Sequence, residues 1–507
     1  MNFSINVNEI QKQRQKDEME KAFSNNYQNS STYIIISQEV NEILNQLKPI
    51  QTINPENIIS ADKLITELFQ KMSTLEFIPT FFIDENFFCD ILMHYLSPPF
   101  SNHISCIIHD IFRLIYVSSE ENALIVYNSS YFNHACNYYY EITFNTNDPS
   151  EKKEKEDLFH RVIHSLRFGI HFFSFNELFF RDGYKERFYY LIHECNFSEP
   201  VIHELLCLTD TMMSTNPIGD VASFITPILM TYFLDPRYTK ICCDTFNRCT
   251  RFSYLYNSLF NVFYKIPKNS DGKECPNLLH SVLMVLTSQN QTYDIKAQIK
   301  SFVLLSHILC FYKENSSDFK SGQLTVQIVT VDFCNTIIVK LLNPEVIKPK
   351  HLEMVLNSIL QISLNDASIP SIICQSYIFQ TILNLIDNPK ISYFVGISCR
   401  LLLASLLRAE DQKLALFVFD KSFLFLEDLL ISDEPAWIIE GLDAILTFLT
   451  NLSKFGNTDI ILKIKNEDTY SWVHECLDEC KQSSVERIAQ SALNSLFILN
   501  EQQNTNE

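Results

Sequence analysis

The sequence predicts an all-α protein, a right-handed superhelical α-solenoid of stacked helical repeats, and three observations lead there. Glycine is scarce, 8 of 507 residues, roughly 2% against about 7% in average proteins. Tight hairpins, β-bulges and phosphate-cradling loops need positive φ or close backbone approach, so this shortage removes most glycine-dependent architecture. Apolar residues recur at intervals of three and four, as at Leu442, Ile445, Leu446, Leu449 and Leu452. That is the spacing of one helical face, and strand-like alternation never lasts. From about residue 330 onward an apolar helix, a turn rich in Asn, Asp and Pro, and a second apolar helix recur about every 45 residues, the period of helical repeat arrays. With 46% apolar positions, 40 Phe and 22 Tyr, the chain can bury a large aromatic core.

Residues 1–32 read as an N-terminal helix and a flexible joint, Ser24 to Thr32. Residues 33–330 carry divergent copies of the unit. Phe87 to Leu96 turns at Ser97-Pro98-Pro99 into Ile104 to Val117, and Glu186 to Cys195 turns at Asn196 to Pro200 into Val201 to Met213. Phe224 to Leu234 leads through Asp235-Pro236 into Thr239 to Phe252, and Leu278 to Leu286 leads through Ser288-Gln289-Asn290 into Ile295 to Phe311. Ahead of a charged helix, Asp148-Pro149-Ser150-Glu151 has capping-box spacing, with Asp148 as N-cap and Glu151 at the third helical position.

Residues 331–500 repeat more regularly, and 501–507 are expected to be a disordered tail. Asp332 to Leu342 turns at Asn343-Pro344 into His351 to Leu364. Ser376 to Ile386 turns at Asp387-Asn388-Pro389 into Ser392 to Leu407. Asp420 to Leu430 turns at Ser432 to Pro435 into Ala436 to Asn451, and Asp468 to Cys480 turns at Gln482-Ser483-Ser484 into Val485 to Asn500. Proline cannot continue the first helix, yet its fixed φ suits the first turn of the next.

Phe423-Leu424-Phe425-Leu426-Glu427-Asp428-Leu429-Leu430, the turn Ser432-Asp433-Glu434-Pro435, and the helix running through Leu442 and Asp443 to Leu449-Thr450-Asn451-Leu452-Ser453 resemble an armadillo repeat. The features in common are a paired-Leu helix, a short polar turn and a helix ending near Leu-x-Asn-Leu-Ser. Ala492-Leu493-Asn494-Ser495-Leu496 is a looser copy. The family's usual helix-breaking glycine is mostly absent, which leaves armadillo and HEAT forms both open. The resemblance implies stacked units with a concave surface lined by the last helix of each. There Asn451 and Asn494 would be the candidate partner-binding residues, able to hold a partner's backbone or simply to end a helix.

Sixty Asp and Glu against 40 Lys and Arg give a net charge of −20. Such a chain repels phosphate backbones, so no nucleic-acid partner is expected, and a basic segment is the natural protein or peptide ligand. No run reaches the roughly 18 apolar residues of a membrane-spanning helix, and Met1 to Lys21 lacks the apolar stretch of a secretory signal. The fifteen Cys lie mostly in apolar surroundings, as expected of buried thiols in a reducing compartment. These features suggest a cytoplasmic protein, with the nucleus also open to it.

All eight Gly are isolated, so no Gly-x-Gly, phosphate loop or Gly-x-Ser-x-Gly elbow can be written, and neither an enzyme nor a cofactor is expected. The strongest metal candidates are His160, His164 and His171, the first two at i, i+4 on one helical face, with Glu177 as a possible carboxylate. The flanking Leu158, Phe159, Val162, Ile163 and Leu166 fit a plain amphipathic helix equally well. His193-Glu194, His203-Glu204 and His474-Glu475 open like a His-Glu-x-x-His zinc helix, but Phe197, Cys207 and Asp478 stand where the second His belongs. Cys476 and Cys480, one turn apart near His474, and Cys242, Cys243 and Cys249 read as core thiols. Tyr138-Tyr139-Tyr140 and the Phe172–Phe180 run read as inter-repeat packing ahead of a partner groove.

The expected function is a non-catalytic protein-interaction scaffold or adaptor, with the partner lying along the concave groove. Two narrower versions are a nuclear-transport adaptor and a protein phosphatase regulatory subunit. Against the first, Gly441 and Cys476 stand where Trp437 and Trp472 would need a following Asn. The second rests on Phe82-Ile83-Asp84-Glu85-Asn86-Phe87, a short resemblance to HEAT-like phosphatase subunits. From another class, a metal-dependent enzyme would use the His160/His164/His171 cluster.

Overall fold

The computed structural model describes residues 31–48, 55–75, 78, 88–96, 100–144, 146, 148–172, 183–215, 219–250, 277–288, 292–315, 322–409 and 411–501. Every regular element among them is helical, and none is a strand. The chain forms two compact units, Met1–Ile225 and Thr226–Glu507. Of the expected N-terminal helix and joint (1–32) and the expected tail (501–507), residues 1–30 and 502–507 lie outside the described residues, and Ser31, Thr32 and Glu501 are helical.

The first unit contains α1 (Ser31–Leu47), α2 (Pro55–Ser73), α3 (Phe88–His94), α4 (Asn102–Ser118), α5 (Glu120–Asn128), α6 (Ser130–Glu141), α7 (Pro149–Phe172), α8 (Tyr184–Glu194) and α9 (Glu199–Thr215). The unit boundary falls within α10 (Gly219–Tyr232). Serine hydroxyls start the middle helices, since Ser101, Ser119 and Ser129 accept from the backbone N–H of Ile104, Asn122 and Tyr131, satisfying amides that a helix leaves unpaired. At the head of α7, Asp148 accepts from the Ser150 N–H at 2.9 Å as the sequence led us to expect. Glu151 does not close the box directly. Its carboxylate accepts from the Thr146 hydroxyl, which itself accepts from the Asp148 N–H, so Thr146 bridges the two.

Helices α2, α4, α7 and α9 pack in succession, each against the next. Their seam is apolar and aromatic, with one polar chain inside it. His109 of α4 meets the Tyr131 hydroxyl at 2.6 Å, and that hydroxyl meets Ser165 of α7 at 2.6 Å, all three residues being buried. Tyr139 stacks on Phe159, and Phe144, Phe159 and Phe197 form one cluster, so Tyr139 of the Tyr138–Tyr140 run serves packing, while its two neighbours are half-buried.

In the second unit the order continues with α11 (Thr239–Cys249), α12 (Leu278–Thr287), α13 (Ile295–Asn315), α14 (Gly322–Ile328), α15 (Val331–Phe333), a π turn (Cys334–Ile338), α16 (Val339–Leu341) and α17 (Pro349–Asn365). Then follow α18 (Ile369–Gln375), α19 (Tyr377–Ile386), α20 (Tyr393–Leu407), α21 (Gln412–Ser422), a 3-10 turn (Phe423–Leu426), α22 (Glu427–Leu430) and α23 (Pro435–Lys454). The last elements are α24 (Thr458–Asn466), a 3-10 turn (Asp468–Tyr470), α25 (Ser471–Cys480) and α26 (Glu486–Glu501). Helices α11, α13, α17, α20, α23 and α26 pack one on the next.

The repeating element therefore has three helices where the apolar pattern suggested two. Helices α18, α21 and α24 each precede the pair read from the sequence. At the first junction Ser376 ends α18 by donating to the Ile373 carbonyl and starts α19 by accepting from the Ile378 N–H. At the second, Asp420 to Leu430 is not one helix. The Ser422 hydroxyl bonds back to the Val418 carbonyl, and the chain tightens into a 3-10 turn that delivers Phe423 to Phe419, Phe448, Tyr470 and Trp472. Gly441 lets α23 close on α22, because a Cβ there would sit 2.9 Å from Leu430 Cδ2 and 3.2 Å from Leu429 Cβ. No single described helix is long and apolar enough to cross a membrane; α18 and α19 pass that test only as a pair bent by 76°.

Candidate functional site

The turns between second and third helices of the C-terminal units carry large apolar residues outside the core. Asn388 shapes the first such turn by accepting from the Lys390 N–H at 3.0 Å, and Ser392 caps α20 through the Val395 N–H. Two aromatic residues follow in the first helical turn, Tyr393 at 62% exposure and Phe394 at 57%. In the next unit Pro435 opens α23, placing half-buried Trp437 on that helix's first turn. The three rings meet: Tyr393 and Phe394 at 5.8 Å between centroids, Tyr393 and Trp437 at 6.0 Å, and Phe394 and Trp437 at 6.5 Å.

Beside them lies a cavity of about 440 Å³ bordered by Ile386, Tyr393, Gly396, Arg400, Asp428 and Ile431. Ile431 is itself exposed. Arg400 pairs with Asp428 across the cavity, and its Nε is buried without a hydrogen-bond partner. Gly396 leaves room for that guanidinium, since a Cβ there would lie 3.0 Å from Arg400 Nη1. Charges in and next to these turns are Asp387, Asp428, Asp433 and Glu434 against Lys390 and Arg400. Ring faces beside an acidic rim can hold a cation flanked by apolar side chains.

Neither asparagine expected to bind a partner borders this cavity. Asn451 is half-buried near the end of α23, where its carbonyl accepts from the Phe455 N–H at 3.0 Å. Asn494 is exposed on α26, and its side-chain oxygen accepts from Gln490 at 2.9 Å. Trp472 is core, against Phe423.

A second candidate lies in the first unit, where α7 faces α9. His160 and His164 share one face of α7, with ring centroids 5.9 Å apart. The side chains of His171 and Glu177 lie outside the described residues, as does the Phe82–Phe87 stretch. A carboxylate arrives instead from α9: one ligand atom each of His160, His164 and Glu204 lie within 4.8 Å of one another. A second trio, His203, Glu204 and Cys207, meets the same criterion and shares Glu204. Burial pushes the His164 imidazole down to about 3, helped by the Arg167 and Arg113 charges, and lowers His160 as well. Burial also raises the Glu204 carboxyl, against the pull of Arg167 and Arg113. Arg167 Nε stands 2.6 Å from Glu204 Oε1 as an ion pair, though neither atom is in hydrogen-bond alignment.

The aromatic cluster and the α9 side of the second candidate escaped a reading by periodicity. Tyr393, Phe394 and Trp437 follow polar turns and so read as helix starts, yet apolar residues at first-turn positions off the core face were a visible sign. His203-Glu204-x-x-Cys207 fails as a two-histidine zinc helix, although cysteine at the second position is itself a ligand. By contrast the other cysteines singled out in the sequence behave as core thiols: Cys242, Cys243 and Cys249 are buried, the second pushed up to about 12, and Cys476 and Cys480 are buried with raised thiols.

No protein-family profile matches the chain, and no curated protein matches it. Among solved structures it is similar to an engineered protein from a structural genomics consortium, at 12% identity over 91% of this chain and 98% of that one, with a TM-score of 0.59. It is also similar to a structure described as a conserved phosphorylation switch controlling the interaction between cadherin and beta-catenin, at 11% identity over 89% and 82% with a TM-score of 0.47. The first likeness speaks to the helical fold alone; the second is too distant to add to it.

Proposed function

We propose that this chain is a non-catalytic protein-interaction scaffold built as an armadillo-type α-solenoid, and that it receives an extended basic segment of a partner protein at the aromatic turn edge of its C-terminal units. The armadillo form is supported by three helices per unit starting at Ile369, Gln412 and Thr458, about 45 residues apart, and by successive third helices packing on one another. The observation that carries the binding reading is the cluster of Tyr393, Phe394 and Trp437 beside an open cavity that Tyr393 borders. Contiguous exposed apolar surface rimmed by polar residues marks interaction sites, and aromatic anchors carry most interface energy. The acidic rim and the net charge of −20 favour a basic ligand.

The test is retention of partners from a native-cell extract at moderate salt, comparing the full chain with a Phe394→Ser/Trp437→Ala double variant. A stoichiometric partner kept by the parent and lost by the variant is the expected result. In parallel, a Lys/Arg-rich peptide with apolar anchors should shift the fluorescence of Trp437, the more exposed of the two tryptophans. A partner held equally by both proteins would move the binding surface elsewhere.

A further inference from the structure

We propose that the α7–α9 face in the first unit is a binding site for one zinc-type divalent cation, held by His160, His164 and Glu204. This site is independent of the scaffold reading, which rests on the other unit. The geometry comes from an i, i+4 donor pair on α7, His160 and His164, together with Glu204 on the facing helix α9. Ligand atoms around a tetrahedral zinc lie about 3.4 Å apart, from bonds of about 2.1 Å. Atoms already within 4.8 Å of one another need only side-chain rotations of about 1 Å to close on the ion. Cys207 Sγ lies 3.6 Å from His203 Nδ1, and these two meet Glu204 as a separate trio.

The donor set selects the metal. Two imidazoles and one carboxylate suit zinc or cobalt and do not suit magnesium or calcium, which favour oxygen ligands. Imidazole binds metal in its neutral form. The competing ligand for Glu204 is Arg167, which must give way. It has somewhere to go: its guanidinium already lies 4.9 Å above the Phe168 ring and is a quarter exposed. Arg113 and Arg161 are held by Asp110, which limits their repulsion of the ion.

The experiment uses the full chain stripped with a chelator, then titrated with Zn²⁺ against a chromogenic competitor and, separately, with Co²⁺. One equivalent of zinc should bind. His164→Ala should weaken it by at least tenfold, whereas Cys207→Ser should leave it within about threefold. Arg167→Gln should tighten binding severalfold by freeing Glu204. Far-UV circular dichroism checks each variant, and if His164→Ala loses helicity, half-buried His160→Gln replaces it. No zinc uptake at stoichiometric concentration overturns the proposal. So does uptake unchanged by the α7 histidine variants, since the metal would then sit elsewhere in the chain.

Discussion

The buried His109–Tyr131–Ser165 chain makes the first unit acid-sensitive in a way that can be calculated. His109 is 2% exposed, and burial holds its imidazole down to about 3, from an ordinary value near 6.5. Its folded value is thus depressed, so below about pH 6.5 the unfolded chain binds a proton that the folded chain refuses. Stability present above pH 6.5 is lost as pH falls, by about 1.4 kcal/mol per unit, until about pH 3. Between about pH 7.5 and pH 5 the loss from His109 alone is about 2 kcal/mol. His164 adds to it with the same sign, although half-exposed, and so do His134 and His160, each lowered by burial. Replacing His109 by Phe removes the titration while Tyr131 keeps Ser165 as hydrogen-bond partner. The substitution should cost about 1 kcal/mol at neutral pH and cut the acid loss by about 2 kcal/mol. Peptide-level hydrogen exchange over α4, corrected for intrinsic rates, isolates this region from the second unit, which holds both tryptophans. An unchanged acid loss in His109→Phe would refute the reasoning.

Other substitutions probe the second unit. Phe448→Ala opens a hole between Phe419 and Phe423 and should cost about 3–5 kcal/mol, read by the fluorescence of Trp472, which neighbours Phe423. Gly441→Val should destabilise by about 2 kcal/mol or more, because its side chain would be driven into Leu429 and Leu430; urea unfolding followed by the same fluorescence measures it. Asp411→Ala removes the acceptor for the Lys413 and Leu414 N–H groups at the head of α21 and should cost about 1 kcal/mol in the same titration. Asn494→Ala, with only Gln490 to lose on an exposed face, should change stability by less than about 0.5 kcal/mol and leave partner retention intact.

Legibility in the sequence followed the range of each interaction. Helices whose apolar faces repeat over several turns were readable: Ile295 to Phe311 and Ser392 to Leu407 appear with nearly those limits, as Ile295–Asn315 and Tyr393–Leu407. Short helices were not, because α18 and α24 offer too few turns for a period, and α18 has Pro370 in its first turn. The break at Ser422 was hidden as well, since apolar residues run on both sides of Asp420-Lys421-Ser422 and it is the packing of Phe423 that turns the chain there. For the candidate metal site, half was visible. The pair His160 and His164 shares one helix and follows from spacing, whereas Glu204 is brought to them only by the packing of α7 on α9.

The turn edge stands out because three aromatic rings meet there, whereas Tyr377, Phe455 and Phe497 are exposed elsewhere on the C-terminal units. Along α20 the run from Val395 to Cys399 and that from Leu402 to Leu407 are buried, claimed by α17 and α23 on either hand and by α19 and α21. Helix packing therefore accounts for almost every apolar residue of that helix. It does not account for Tyr393 and Phe394, which precede the buried stretch and touch chiefly each other and Trp437. Moving two large rings from water into an interface releases more free energy than most surface contacts, about 25 cal/mol for each Å² covered. A fold that needed only solubility would put serine or lysine at those positions. Retaining three aromatic side chains where none is needed for packing is the physical reason to look for the partner there, ahead of the asparagines on α23 and α26.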